Sequence, residues 1–247
     1  MRRCGWHYAV IDSALKQEPE TLYLIPGLLC NHRLWAAQCQ ALASRVDLRV
    51  VDTTVCTQLD ELVSLILDAA PQRFALAGLS MGGYVCFEIM RRARKRISRL
   101  ALLDTSPNPD SPDRIETRLQ LMRLTEAGRF EAVIEAMLPA LVHPDRLKDS
   151  ALCDTIRIMA REVGPEGFLT QQGLIMGRPG SFAELAEYRL PTLVLCGRQD
   201  ILTPPRVHEN MAARLPQSEL RVIERCGHLS PLEQPGSVTT ALRRWLL

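Results

Sequence analysis

No run among the 247 residues stays apolar for the roughly 20 positions a helix needs to cross a bilayer, which excludes a membrane helix. The basic opening Met1-Arg2-Arg3-Cys4-Gly5-Trp6-His7 has no apolar stretch behind it, so a secretory signal is not expected and the chain reads as cytoplasmic. None of the eight cysteines (4, 30, 39, 56, 86, 153, 196 and 226) forms C-x-x-C or stands at zinc-ligand spacing to a histidine. They read as free thiols in a reducing compartment, most of them inside apolar runs where a thiol behaves as a small hydrophobe. Lysine is scarce, with Lys16, Lys95 and Lys148 the only three, so the basic charge is almost all arginine. A net charge of +2, with 30 basic against 28 acidic residues, lacks the concentrated basic surface of a nucleic-acid binder. The one dense run, Arg91-Arg92-Ala93-Arg94-Lys95-Arg96, falls where a helix is expected to end, and cations there meet the negative end of the helix dipole. Internal repeats and low-complexity segments are absent too. What remains, 47% apolar and 23% charged, is the composition of an ordinary globular protein.

Short apolar, β-rich runs alternate with helical patterns at both ends of the chain. Strands are expected at Trp6–Ile11, Thr21–Ile25, Leu48–Asp52, Phe74–Gly78, Leu100–Leu103, Thr192–Gly197 and Leu220–Ile223. Runs such as Phe74-Ala75-Leu76-Ala77 are apolar on both faces, which suits the middle of a parallel sheet covered by helices. Leu59, Leu62, Val63 and Ile66 follow a helical stripe, with Thr57 and Asp60 as a capping-box-like start. Thr203-Pro204-Pro205 and Ser230-Pro231-Leu232-Glu233 each read as an N-cap followed by proline in the first turn. Alternation of strand and helix implies α/β architecture, a mainly parallel central sheet flanked by helices. From about 110 to 189 the rhythm breaks. That stretch has helical stripes only (Ile115, Leu119, Met122; Phe130, Val133, Ile134, Met137, Leu141; Leu152, Ile156, Met159, Val163), entered through a proline-rich linker, Ser106–Pro112. The expected organisation is therefore a core of residues 1–109 and 190–247 with a helical cap, 110–189, inserted on one edge of the sheet.

The strongest chemical signal is Gly78-Leu79-Ser80-Met81-Gly82, a G-x-S-x-G between an apolar strand and a helix. A sharp turn there lifts the serine hydroxyl above the sheet and onto the helix N-terminus, and its neighbours must be small to avoid clashes. A serine hydroxyl needs a base to become a nucleophile. His228, in Cys226-Gly227-His228-Leu229 after a strand and turn, is the best placed. His7, His143 and His208 read as structural, and His32 lies in a loop expected near the site. The imidazole needs a carboxylate in turn. Asp200, just past the Thr192–Gly197 strand, is the first choice, and Asp104, at the end of the preceding strand, is the competitor. The tetrahedral oxyanion needs donors, for which the backbone N–H groups of Leu28, in Pro26-Gly27-Leu28, and of Met81 are expected. Cys30 and Cys226 lie close in sequence to the donor loop and to His228, so thiol modification there is expected to lower activity.

These segments resemble the α/β-hydrolase superfamily from about Trp6 to the end of the chain. The resemblance is carried by Leu24-Ile25-Pro26-Gly27-Leu28, Ala77-Gly78-Leu79-Ser80-Met81-Gly82-Gly83, Leu193-Val194-Leu195-Cys196-Gly197-Arg198-Gln199-Asp200 with Thr203-Pro204, and Gly227-His228. It implies a mainly parallel sheet of eight strands, or one fewer given the short N-terminal region, with a helical cap and neither metal nor organic cofactor. Pro26 stands where many relatives carry histidine. Ser80 sets the chain apart from the dehalogenases and epoxide hydrolases of this fold, which use aspartate. The Gly-Leu-Ser-Met-Gly-Gly string is similar to small carboxylesterases, enol-lactonases and cofactor-free perhydrolases.

The expected activity is hydrolysis of a small, mostly apolar carboxylic ester by Ser80, His228 and Asp200 through an acyl-enzyme. Lactonase, thioesterase, perhydrolase and C–C hydrolase chemistry use the same triad, and a non-catalytic receptor could keep the same pocket. Leu28, Leu29, Trp35, Met122, Met137 and Phe168 are expected to wall the pocket. A small-molecule ester is the expected partner, with neither nucleic acid nor membrane. The cap region carries 13 acidic residues against nine arginines and one lysine, no docking surface for an acidic carrier protein.

Overall fold

The computed structural model describes residues 19–246, so the expected Trp6–Ile11 strand lies outside the described residues. Six strands are described: β1 (Thr21–Ile25), β2 (Asp47–Val50), β3 (Phe74–Leu79), β4 (Ile97–Leu103), β5 (Thr192–Gly197) and β6 (Ser218–Ile223). All pair in parallel, in the order β2-β1-β3-β4-β5-β6. Their number is short of the eight of the full fold among the described residues. β3 and β5 are buried at every position, as expected of central strands covered on both sides, whereas the outer strands β2 and β6 are partly open.

Alternate side chains of each strand enter two separate cores. Leu22, Leu24, Ala75, Ala77 and Leu79 pack with α1 (Ala36–Leu42) and α9 (Pro235–Leu246). Tyr23, Ile25, Phe74 and Leu76 pack with α2 (Leu59–Ala69), α3 (Met81–Ala93) and α7 (Pro205–Arg214). The chain steps outward from β1 to β2, then crosses back to β3 on the other side of β1. Strand order therefore reverses between β1 and β3, and a crevice opens at their carboxyl ends. The Pro26-Gly27 turn and Ser80 both stand at that point, directly after β1 and β3.

Between β4 and β5 there is no strand. α4 (Pro112–Glu126) starts from Ser111, whose side chain accepts from the Arg114 N–H. α5 (Phe130–Leu141) and α6 (Ser150–Met176) follow, the latter broken at Gly164, where φ is 74° ahead of Pro165. These helices share a cluster of Val133, Ile134, Ala160 and Phe168 that also takes in Leu29. The short helix α8 (Ser230–Glu233) precedes α9.

Three caps differ from expectation. α8 starts from Leu229, with Ser230 as its first residue and the Ser230 hydroxyl donating to Asp104. α2 starts from Gln58 without a side-chain cap bond, and the capping-box role of Thr57 is not realised. α7 starts from Pro204, because the Thr203 hydroxyl is engaged by Asp200. The basic run does lie at the end of α3. Its arginines are spent internally: Arg91 and Arg94 pair with Glu184 and Glu187, while Arg92 and Arg96 donate to the carbonyls of Asp60 and Ala70.

Candidate active site

Ser80 is held at φ 53° and ψ −112°, a left-handed conformation that a non-glycine residue adopts only under constraint. The turn is fixed on three sides. The Ser80 N–H donates to the Leu103 carbonyl at 2.9 Å, and its carbonyl accepts from the Gly83 N–H at 2.9 Å and the Thr105 hydroxyl at 2.7 Å. Gly78 and Gly82 pass so close to each other and to Ile25 that a β-carbon on either would collide with backbone. The G-x-S-x-G spacing is thus a steric requirement of this turn.

Three residues far apart in sequence meet here. Ser80 Oγ lies 2.9 Å from His228 Nε2, and His228 Nδ1 lies 2.8 Å from Asp200 Oδ2. Asp200 is buried and fully engaged: Oδ1 accepts from the N–H groups of Leu202 and Thr203 at 2.9 Å, and Oδ2 also accepts from the Thr203 hydroxyl at 2.6 Å. Burial opposes its charge, yet His228 and these donors hold its pKa below the usual carboxylate value. Burial alone would favour a neutral His228, but the Asp200 carboxylate outweighs it and raises the ring above its ordinary 6.5. The imidazole is therefore prepared to take a proton.

Asp104 does not bond His228. Its carboxyl accepts from the Gly197 N–H at 2.9 Å and from the Ser230 hydroxyl. Burial and the nearby Asp200 charge push its pKa well up. His208 is a buried acceptor for the Thr105 N–H at 3.0 Å, and burial lowers its pKa to about 4. His32 is exposed on a short 3-10 turn.

The His228 loop is tied to the inserted helices. Both the His228 and Leu229 N–H groups donate to the Leu141 carbonyl at 3.1 Å, at the end of α5. The buried Glu233 carboxylate accepts from the N–H groups of Gly227 and His143, at 2.9 and 2.7 Å. On the opposite side, Gln171 of α6 accepts from the Leu29 N–H at 2.8 Å and donates to the Thr53 hydroxyl at 2.9 Å. Leu29 is itself strained at φ 57°. Among the described residues, the N–H groups of Leu28 and Met81 have no acceptor within the protein.

Above Ser80 and His228 is a cavity of about 440 Å³. Leu28 and Met137 line it as expected, with Leu79, Leu121 and Ile175. The other expected wall residues lie behind it. Trp35 is fully buried between the sheet and the α1/α9 layer, and Phe168 packs on Phe130 inside the cap cluster at 5.9 Å between ring centres. Leu29 and Met122 belong to the same cluster, turned inward by helix packing. The two cysteines are also out of reach. Cys30 and Cys226 are buried, and burial pushes the Cys30 thiol up to about 12 and raises Cys226 as well. Neither has the reactive thiolate that modification requires.

Reasoning from the sequence gives Thr203 and Glu233 only capping roles and leaves Gln171 unmarked; their part here is to orient rather than react. It also missed Arg114, Arg118 and Gln172 on the cavity wall. Gln171-Gln172 was visible as a polar pair within an apolar helical stretch, Phe168 to Ile175. Among the described residues there is no cluster of metal-ligating side chains, and no helix long and apolar enough to cross a membrane.

The chain is similar to known proteins over most of its length. A family model described as alpha/beta hydrolase fold matches residues 20–235. A pimeloyl–acyl-carrier-protein methyl ester esterase of Nitrosomonas europaea is 25% identical over 228 residues, covering 87% of this chain and 90% of that one. A thermophilic esterase from Thermogutta terrifontis, solved with malate bound, superposes with a TM-score of 0.83 at 32% identity, covering 93% of this chain and 90% of that chain. The enol-lactonase of Burkholderia xenovorans LB400 shares the fold, with a TM-score of 0.82 at 21% identity, covering 93% of this chain and 92% of that one.

Proposed function

The chain belongs to the α/β-hydrolase fold family and is a hydrolase of ester-type bonds, and from that premise we propose that Ser80, His228 and Asp200 are its catalytic triad. The substrate in this reading is a small carboxylic ester, cleaved through an acyl-enzyme. The observation that carries it is the unbroken hydrogen-bonded chain from Ser80 Oγ through His228 to Asp200, at the floor of the cavity.

His228 Nε2 takes the proton as Ser80 Oγ attacks the ester carbon. Asp200 fixes the tautomer, with the proton on Nδ1, and stabilises the imidazolium that forms. The oxyanion develops against the unpaired N–H groups of Leu28 and Met81. The latter opens α3, whose N-terminal dipole favours negative charge. Collapse of the intermediate breaks the bond to the alcohol oxygen, which leaves with the proton from His228. Water then attacks the acyl-enzyme by the same route, giving the acid and restoring Ser80. Positioned proton transfer contributes about 10²–10⁴-fold, and loss of one oxyanion donor typically costs about 10²–10³-fold in turnover.

A residues 110–189 cap over a 1–109 and 190–247 core follows from this reading, since α4, α5 and α6 roof the cavity. The test is labelling by a fluorophosphonate and turnover of p-nitrophenyl acetate and butyrate. Wild type should be labelled at Ser80, and Ser80→Ala should neither label nor turn over. Equal rates in the two proteins would remove the mechanism.

A further inference from the structure

The cavity has one polar wall that the reaction does not use. Arg114, Thr117 and Arg118 of α4 and Gln172 of α6 line it, and among the described residues no aspartate or glutamate does. Arg114 and Arg118 are one helical turn apart and share a single carboxylate, that of Asp110, which lies behind them. Asp110 Oδ2 accepts from Arg118 Nε at 2.6 Å, and Oδ1 from Arg178 at 2.8 Å, with Arg114 at 4.0 Å. Burial opposes the Asp110 charge, but Arg178 and Arg118 hold its pKa down at about 2. Three guanidinium groups thus face one carboxylate, and the surplus is positive. Arg178 is taken up elsewhere: it lies 3.9 Å over the Tyr84 ring and donates to the carbonyls of Ile175 and Asn108. Arg114 also donates to the Leu202 carbonyl, which leaves its charge uncancelled. Arg178 does not line the cavity, so the positive charge that faces it is that of Arg114 and Arg118.

Gln172 points the same way. Its Oε1 accepts from Arg118 Nη1 at 2.9 Å. A guanidinium can only donate, so the amide cannot be turned round, and Nε2 must face away from Arg118. That Nε2 is buried in a residue with no exposed surface and has no partner, unlike the adjacent Gln171, which is paired at both ends. A buried donor without an acceptor is uncommon and calls for an explanation. Here two cations and an idle amide N–H sit on one wall, opposite an otherwise apolar lining. All are donors.

We propose that the ester cleaved at Ser80 carries a carboxylate at the far end of its acyl part, bound by Arg118, Arg114 and the Gln172 amide, so that the substrates are monoesters of short dicarboxylic acids. This rests on the serine-hydrolase reading above. The carboxylate belongs to the acyl part because the alcohol departs after the first half-reaction. A contact to the acyl part orients the carbonyl during both attack by Ser80 and attack by water. Apolar lining from Leu28, Leu79, Leu121 and Met137 meets the methylene chain between the two ends. The products are the dicarboxylate and the free alcohol, with one water consumed.

The test compares monomethyl glutarate with methyl pentanoate, which has a methyl in place of the distal carboxylate. Wild type should favour the charged ester in kcat/KM by about 10-fold or more, the effect of hydrogen bonds to a charged group. Free glutarate should inhibit hydrolysis of the neutral ester competitively. The preference should collapse about 10-fold in Arg118→Gln. Arg118 braces Asp110, so Arg114→Gln is the second variant: it leaves the Arg118 and Arg178 contacts to Asp110 in place and should also reduce the preference. Glutarate binding to Ser80→Ala by calorimetry, lost on adding Arg118→Gln, reads the site without turnover. If wild type cleaves methyl pentanoate as well as monomethyl glutarate, and glutarate neither binds nor inhibits, the carboxylate assignment is wrong and the hydrolase stands. If neither ester nor the p-nitrophenyl esters turn over and Ser80 takes no fluorophosphonate label, the hydrolase reading itself fails.

Discussion

Gly82→Ala tests whether the turn holding Ser80 and the loop holding Leu28 are one mechanical unit. A methyl at position 82 would overlap the Ile25 carbonyl oxygen and lie 2.7 Å from its carbonyl carbon and 2.9 Å from the Pro26 oxygen. Side-chain carbons essentially never come closer than 3.0 Å, and both neighbours are backbone, so α3 and the end of β1 must move apart. Such overpacking costs about 1–3 kcal/mol, while replacing a helical glycine with alanine returns up to about 1 kcal/mol of propensity. The net loss of stability is therefore about 0–3 kcal/mol on those two figures. The loss of activity is not offset. Ile25 and Pro26 lead straight into Gly27-Leu28, so the displacement carries the Leu28 N–H away from Ser80. A misplacement of about 1 Å costs on the order of 10²-fold in rate. The expected signature is a modest fall in the urea midpoint with a roughly 10²-fold drop in kcat/KM on p-nitrophenyl acetate and slower fluorophosphonate labelling. Gly173→Ala is the matched control. A methyl there meets nothing within 4 Å, so it should leave activity alone and stabilise α6 by up to about 1 kcal/mol. A Gly82→Ala enzyme with wild-type rates would refute the coupling of the two loops.

Two further outcomes follow from the charges. His228 must be neutral to accept the Ser80 proton, and its raised pKa means that kcat/KM should fall as the pH is lowered, along a limb with an apparent pKa above 6.5. Arg114 disfavours the imidazolium, so Arg114→Gln should move that limb to still higher pH, and a limb at or below 6.5 in wild type would contradict the pairing with Asp200. Asp110 has its pKa lowered from 3.8 to about 2, so its contribution to stability is complete above 3.8 and is lost as the pH falls through about 2. The shift corresponds to about 2 kcal/mol. Urea midpoints should drop across that window in wild type, and Asp110→Asn should be less stable at neutral pH and flatter below pH 4.

The parts legible in the sequence are those enforced within a few residues. β3 and β5 are continuous apolar runs because both faces are covered, and they appear in the sequence within one residue of their bounds. Gly78, Ser80 and Gly82 are visible because the steric conflict is local to one turn. β2 and β6 were less sharply visible, being outer strands whose polar positions blur the pattern: β2 runs from Asp47 to Val50 instead of Leu48–Asp52. The cavity wall was the least legible. Trp35 and Phe168 are large apolar side chains near the right loops, but whether such a residue faces a cavity or a core depends on how the helices dock, which no local pattern records. Arg114, Arg118 and Arg178 lie up to 64 positions apart and converge on Asp110 only once α4 and α6 are packed, so the acidic surplus counted along the segment concealed a local positive one.

In the proposed mechanism, that packing lets the inserted helices bear on catalysis without supplying a reacting atom. His228 is the one member of the proposed triad whose backbone hangs on the inserted helices, through the Leu141 carbonyl and, via Glu233, the His143 N–H. The donor loop is fastened to it as well, by Gln171 at Leu29. Ser80, by contrast, is fixed by β4, by Thr105 just after it, and by α3. The distance from Ser80 Oγ to His228 Nε2 is thus set across the boundary between the sheet and the helices above it. A carboxylate held by Arg118 and Gln172, as proposed, would contact α4 and α6, which pack with the α5 that holds the imidazole loop. If the ester is held as proposed, recognition of its distal end and alignment of the base share one set of packing contacts, and a residue that selects the substrate should also bear on kcat.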